Sequence, residues 1–403
     1  MTGRHRRCLP EYYKLGSMNN QDSLSDQERI KLQNKNRILK YMQQKRECTK
    51  QDIGKDLNLS IPTVTNNLIE LQKDNIVLEK GQGESSGGRR PALYLFNPES
   101  LLSLGVEITP HGIRCALIDL DGKIQNIDKS LTVPHTKEEL YNQITELNNA
   151  SVEYMHNKHC TLAGIGISLP GVVDVDAKKL ITAPNLHLSD IDFNELQEQL
   201  NKPVYIENEA NAAATAEKIM CNEDTIADII YLSITEGVGA GIYLENKLYR
   251  GRRNKAGEIG HICLIPGGRD CNCGQRGCLE RYVSEEALIS TYNQKSHSNL
   301  PDIDSFFTQV DEQDQTAASV LDRYIDYLSM GIQNLLHMFD PSTLIIGGNL
   351  AKYSKQILPS LKERLFSKEG LQFHSDVSIK FSDLGSDASL LGSAILCYDH
   401  LHY

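Results

Sequence analysis

The 403-residue chain has no apolar run approaching membrane-spanning length, and its opening stretch, MTGRHRRCLPEYYKLGSMNN, lacks the apolar core of a secretory signal. The expectation is a cytoplasmic protein with no membrane partner, whose thiols stay reduced. Residues 1–25 read as a disordered leader. Cysteine is too thinly spread for a disulfide framework: of ten, Cys8, Cys48, Cys115, Cys160, Cys221, Cys263 and Cys397 are scattered, and only Cys271, Cys273 and Cys278 cluster. Positive charge is also in deficit, with 42 Lys and Arg against 53 Asp and Glu. The deficit is uneven. Residues 28–95 carry a net charge of +5, residues 1–27 +1 and residues 96–403 −17. A basic head on an acidic body points to a head that alone meets nucleic acid.

The head reads as consecutive helices. In DQERIKLQNKNRILKYMQQK the apolar residues Ile30, Ile38, Leu39 and Met42 form a helical stripe. TKQDIGKDL opens with Thr49 and Asp52 at capping-box spacing, which predicts a short second helix. After NLS, Ser60 caps a third helix with Pro62 in its first turn. That helix runs through IPTVTNNLIELQKDN and is expected to bury Val64, Leu68, Ile69 and Leu71. Two strands, Ile76–Lys80 and Ala92–Phe96, then flank a Gly/Ser-rich tip. This order predicts a winged helix-turn-helix over 26–97. Thr63, Thr65, Asn66 and Asn67 lie near the end of the third helix that enters a major groove, beside the capping residues Thr49, Ser60 and Pro62. Short hydroxyls and amides suit base edges and phosphates. Arg89 and Arg90 at the wing tip suit a narrow minor groove, with Pro91 stiffening the exit. A winged helix used for protein contact is the alternative.

From about Pro98 strands alternate with helices. LLSLGVEITPHGIRCALIDLDGKIQN reads as an alternating strand, a turn, a second strand and an Asp-Gly turn, and IIYLSITEGVGAGIYLENKLYRG echoes it. LAGIGISLPGVVD and STLIIGGNL read as buried strands ending in glycine turns, and NEANAAATAEKI as the start of a helix. The expectation is an α/β body of two similar lobes, 98–222 and 223–386, with a C-terminal helix at 387–403 returning to the first. A ligand would lie between lobes, near strand ends and helix starts.

LPGVVD, IENEANAAA, AGEIGHI and CNCGQRGCLE, in that order over 98–403, resemble the ROK family of sugar-responsive repressors and sugar kinases. The resemblance implies a two-lobed actin/hexokinase-like (ribonuclease H-like) fold, and the winged helix before it resembles the repressor branch. His261, Cys271, Cys273 and Cys278 supply one imidazole and three thiolates, a complete tetrahedral zinc set. Four protein ligands leave no open position, so the zinc is expected to be structural; unliganded buried thiols are the alternative. Gly267, Gly268, Gly274 and Gly277 suit so short a loop. The resemblance also implies that Glu258 and Glu280 accept hydrogen bonds from sugar hydroxyls. It further places the second ring nitrogen of His261, Asn208, Glu209 and the backbone at Gly171 around the ligand.

A kinase of this family needs glycine hairpins to cradle ATP phosphates and an aspartate base. Where the first hairpin resembles Asp-x-Gly-Gly-Thr, this chain has Glu107, Ile108, Thr109, Pro110 and His111, and proline offers no N–H. The second hairpin keeps Gly237, Gly239 and Gly241 but places Glu236 where a hydroxyl is expected and an anion repels phosphate. Glu209 occupies the place of the aspartate. No kinase activity is expected. The reading is a sugar-responsive repressor, a homodimer or dimer of dimers on palindromic operator DNA. A sugar kinase with an accessory DNA-binding head and a regulator answering to a partner protein are the alternatives.

Overall fold

The computed structural model describes residues 26–82, 91–130, 132–156, 158, 160–220, 226–366 and 376–399; the leader and Arg89 and Arg90 lie outside them. In the head, α1 (Asp26–Lys45) buries Ile38, Leu39 and Met42, but Ile30 is 57% exposed, so the apolar stripe begins two turns later than expected. A three-residue strand, β1 (Glu47–Thr49), leads into α2 (Lys50–Leu57). The capping box is complete: Thr49 Oγ1 accepts from the Asp52 N–H at 3.2 Å, and Asp52 Oδ2 accepts from the Thr49 N–H at 2.9 Å. Helix α3 (Ile61–Lys73) starts at Ser60, whose hydroxyl accepts the Thr63 N–H at 3.3 Å. Val64, Leu68 and Leu71 face inward, whereas Ile69 is 47% exposed. One helical step beyond Leu68 turns a side chain about 100° away from the core, which corrects the expectation that Ile69 is buried. The wing is β2 (Val77–Gln82) paired antiparallel with β3 (Ala92–Phe96), and β3 also pairs with β1.

The chain divides into two compact units, 1–207 with 393–403, and 208–392. Beyond the head, the first unit holds β4 (Leu101–Thr109), β5 (Gly112–Asp119), β6 (Ile124–Ser130), α4 (Lys137–Met155) and β7 (Thr161–Leu169). A small sheet follows, β8 (Val172–Asp174), β9 (Lys179–Ala183) and β10 (Leu188–Asp192), then α5 (Phe193–Leu200) and β11 (Val204–Asn208). The main sheet has the order β11-β7-β4-β5-β6. Eight of the nine residues of β4 are buried, so the expected alternation is absent. A central strand between β5 and β7 is covered on both faces, and only continuous apolarity satisfies that position.

The second unit opens with α6 (Glu209–Met220) and the antiparallel run β12 (Ile229–Ile234), β13 (Val238–Leu244) and β14 (Lys247–Leu248). The helices α7 (Glu280–Val283), α8 (Glu285–Ser296), α9 (Ile303–Asp311) and α10 (Gln315–Phe339) follow, then β15 (Thr343–Gly347), α11 (Ser354–Phe366), β16 (Ser378–Phe381) and the start of α12 (Ala388–Asp399). Its sheet order is β14-β13-β12-β15-β16. In both units a three-strand meander begins with a central strand that also pairs parallel with a later one, β4 with β7 and β12 with β15. The echo in the sequence is thus a repeated topology. The division at 207/208 puts α6 with the second unit, ahead of the boundary expected at 222/223. The reason is close packing on β13: a Cβ at Gly241 would sit 2.4 Å from Ala210 O. Toward the end of α12, Tyr398 donates its hydroxyl to Ile118 O at 2.6 Å within the first unit.

Candidate metal and ligand site

The loop between β14 and α7 brings His261, Cys271, Cys273 and Cys278 together, with one donor atom of each within 4.8 Å of the others. Cys271 Sγ lies 3.6 Å from His261 Nδ1, and Cys273 Sγ lies 3.7 Å from Cys278 Sγ. Bonds of about 2.3 Å to a tetrahedral ion put two sulfurs roughly 3.8 Å apart, so the donors fit such an ion in both type and spacing. The loop can close because Gly277 has no side chain. Its φ is +84°, its carbonyl accepts from Leu264 and Ile265, and a Cβ there would fall 1.8 Å from Ile265 O. Tyr282 and Arg269, which the sequence did not single out, brace the loop from outside. The Arg269 N–H donates to Tyr282 Oη at 2.8 Å, and its guanidinium lies 4.9 Å over the Tyr282 ring. Burial and the Glu280 carboxylate push the Cys271 thiol well above its ordinary range, so a positive charge is what would stabilise its thiolate.

Two carboxylates flank the same imidazole on different sides. Glu258 Oε2 is 4.0 Å from His261 Nε2, and Glu280 Oε1 is 3.5 Å from Nδ1 and accepts from Cys271 Sγ at 2.8 Å. The ring thus turns Nδ1 toward Cys271 and Glu280 and Nε2 toward Glu258. Desolvation raises the Glu258 carboxyl above the usual range, reinforced by Glu280 and opposed by His261 and Lys255. Glu258 still keeps 42% of its side chain in contact with solvent, so a ligand can reach it. Asn208 and Glu209 stand at the start of α6. Asn208 Oδ1 accepts the Ala210 N–H at 2.9 Å and so is spent as a helix cap. Gly171 belongs to the first unit, where it has φ +92° and a Cβ would lie 2.2 Å from Thr182 O. The close packing of β9 is itself a reason for glycine there.

Each of the two glycine-hairpin positions holds a local hydrogen bond. In the β4–β5 turn the His111 N–H donates to Thr109 Oγ1 at 3.1 Å, and Pro110 has no N–H. Glu107 is 8% exposed and ion-paired with Arg114 at 3.1 Å. In the β12–β13 turn Thr235 N–H bonds Gly237 O at 3.0 Å, and nearby Glu285 accepts from Asn349 Nδ2 at 3.3 Å while its Oε1 is buried without a partner. Burial, reinforced by Glu236, raises the Glu285 carboxyl to about 7. The sequence marked Glu236 but not Glu285, because the two are brought together only by the folded unit.

On the head, Pro62 and Asn66 are exposed and Thr63 and Thr65 half-buried on α3, while the Ser60 and Thr49 hydroxyls are occupied as caps. Asn67 corrects the expectation. It is 3% exposed, and its amide donates back to Thr63 O at 2.8 Å, so it lies on the core side. Exposed Ile61 and Ile69 share the outer side of α3 instead. Apolar side chains there suit thymine methyls.

Residues 103–400 match the ROK family and residues 32–77 match a winged helix-turn-helix DNA-binding domain. The chain belongs to the ROK family. Over 380 residues it is 32% identical to the xylose repressor of Bacillus subtilis (strain 168), covering 94% of this chain and 98% of the repressor. It is 24% identical to the N-acetylglucosamine repressor of Escherichia coli O6:H1, covering 84% of each. A ROK family transcriptional regulator, a homologue of the E. coli MLC protein, superposes with a TM-score of 0.78 over 93% of this chain and 98% of its own, at 23% identity, and shares the fold. A Streptomyces griseus ROK glucokinase solved with glucose and AMPPNP gives 0.65 at 26% identity, covering 73% of this chain and 98% of the kinase. The kinase match leaves out about a quarter of this chain, and the repressor matches span both parts. Among the described residues no helix is long and apolar enough to cross a membrane.

Proposed function

We propose that the chain is a sugar-responsive transcriptional repressor whose winged head holds operator DNA and whose second unit binds a neutral sugar at Glu258, His261 and Glu280. The observation that carries the reading is the imidazole shared between thiols and carboxylates: His261 Nδ1 faces Cys271 while Nε2 faces Glu258. Carboxylate oxygens beside a ring N–H make a row of acceptors and a donor, which suits vicinal hydroxyls. Zinc is the ion these four ligands favour, and it would fix the loop rather than activate water, since no ligand position is left open. By holding His261 in one orientation, the filled loop would preset Glu258 and Glu280 for the sugar. Asn208 contributes through its amide N–H groups, and Glu209 joins it at the start of α6.

Sugar kinase activity is absent on this reading. In the β4–β5 turn Pro110 has no N–H and the His111 N–H is bonded to Thr109, while Glu236 with Glu285 puts acidic groups at the second turn. The protein acts in the cytoplasm as a homodimer or a dimer of dimers on a two-fold operator, since two heads related by symmetry read a palindrome. The repressor names of the relatives support release of DNA on sugar binding, with reciprocal weakening of sugar by operator. The test is a thermal-shift panel of monosaccharides on the zinc-loaded chain, followed by DNA selection from a random duplex library with and without the hit. A stabilising sugar that empties the selected duplex is the expected result. ATP-dependent phosphorylation of that sugar, or no sugar binding at all, would sink the reading.

A further inference from the structure

Tyr249 begins a closed loop in the second unit. Its N–H donates to Ile242 O at 2.7 Å and the Ala256 N–H donates to Arg250 O at 3.0 Å, so the segment between is tied at both ends. That segment, YRGRRNK, places four cations and no carboxylate in seven residues of a part of the chain that is otherwise strongly acidic. Arg252, Arg253 and Lys255 line a depression of about 360 Å³ with Tyr249, Phe339 and Ile262 among its apolar walls, and no Asp or Glu lines it. Among the described residues Arg252 and Arg253 have neither an ion pair nor a side-chain hydrogen bond, and both are exposed. Clustered like charges repel, and a bound anion relieves that repulsion. The guanidinium fork matches phosphate oxygens in pairs. The apolar walls offer nothing to a fully hydrated ion and favour one that carries an organic body.

We propose that this depression is a binding site for a small organic phosphate, with the phosphate on Arg252 and Arg253 and the organic group against Tyr249 and Phe339. The site shares a segment of chain with the candidate sugar ligands. Gly257, Ile259 and Ile262 line the depression, and they bracket Glu258 and His261 in the chain. Gly257 is fixed to β13 by the Ala240 N–H, which donates to Gly257 O at 2.8 Å. An occupant therefore presses on a short, pinned segment and alters sugar affinity at Glu258 and His261. This consequence rests on the function proposed above, whereas the phosphate site itself does not.

The test is calorimetric titration of the full-length, zinc-loaded chain with phenyl phosphate, inorganic phosphate and a random-sequence DNA duplex. Phenyl phosphate is expected to bind at least about tenfold more tightly than inorganic phosphate, and the double variant Arg252→Ala/Arg253→Ala to weaken it by about tenfold or more, as loss of charge-assisted contacts implies. Arg323→Ala, a cation removed elsewhere on the same unit, is expected to leave it unchanged. The two arginines are exposed, so the double variant keeps its fold, which its melting temperature checks. Glu258→Gln separates the two readings: phenyl phosphate binding persists while sugar binding is lost. The proposal is overturned by absence of binding up to about 10 mM phenyl phosphate, by binding that survives the double variant, or by a duplex that displaces phenyl phosphate through the same arginines, which would make the patch a DNA contact.

Discussion

Arg46 Nη1 lies 2.6 Å from Asp121 Oδ2, which ion-pairs the residue after α1 of the DNA-binding head to the turn between β5 and β6. Beside it, Gln43 Nε2 donates to Leu120 O at 2.9 Å in a buried position. The head is thus fastened to the main sheet of its unit by side chains as well as by the connecting chain. Asp121→Ala is expected to cost about 0.5–1 kcal/mol, because the pair is partly exposed, and to raise amide exchange in α1. Operator affinity should change little while its response to sugar becomes smaller. Unchanged exchange in α1 would show that the pair does not hold the head.

On α3, Asn66 and Asn67 are neighbours with opposite fates. Asn66→Ala removes an exposed amide, so it should weaken DNA binding by about 1–3 kcal/mol and leave the melting temperature almost unchanged. Asn67→Ala removes a buried amide bonded to Thr63 O, so it should destabilise the fold by about 1–2 kcal/mol. Anisotropy with the selected duplex and thermal melting separate the two. The reverse pattern would place Asn67, not Asn66, at the DNA.

Metal analysis of the purified chain should give one zinc per protomer, and Cys278→Ser should lose it. Cys278 is fully buried, so loss of the ion should lower the melting temperature of the second unit and abolish the sugar-induced shift. DNA binding by the head should survive chelation, because the four ligands all lie in 208–392. A metal-free sample that still responds to sugar would remove zinc from the account.

The Glu285 carboxyl sets a pH dependence. Its ordinary value of 4.5 is raised to about 7 in the folded chain, chiefly by burial. The folded state therefore holds this proton more tightly than the unfolded chain. The contribution to stability is full below pH 4.5 and is lost as pH rises through 7. Glu285→Gln keeps the shape without the charge, so its stability relative to the native chain should rise by roughly 1–2 kcal/mol between pH 5 and pH 8, after allowance for partial solvent contact. Urea denaturation at the two pH values measures this. A difference that does not grow with pH would mean that Glu285 ionises freely.

Much of this protein is set by local chemistry that any reader of the chain can follow. The Thr49–Asp52 box, the Ser60 cap, Pro62 in the first turn of α3, and the His261, Cys271, Cys273 and Cys278 spacing are all short-range patterns whose energetics do not depend on distant residues. Other features needed the fold. Whether Ile69 and Asn67 face the core or the solvent was decided by which side of α3 the rest of the head covers. The continuous burial of β4 followed from its central place in the sheet, and the attachment of α6 to β13 from a contact at Gly241 that no local pattern announces. Arg46 with Asp121, Glu285 with Asn349, and the cations of the Tyr249–Ala256 loop over an apolar depression join residues far apart in sequence. Caps and metal loops are read from the sequence because their partners lie within a few residues. Burial, ion pairs and binding surfaces depend on partners that only tertiary packing brings within reach.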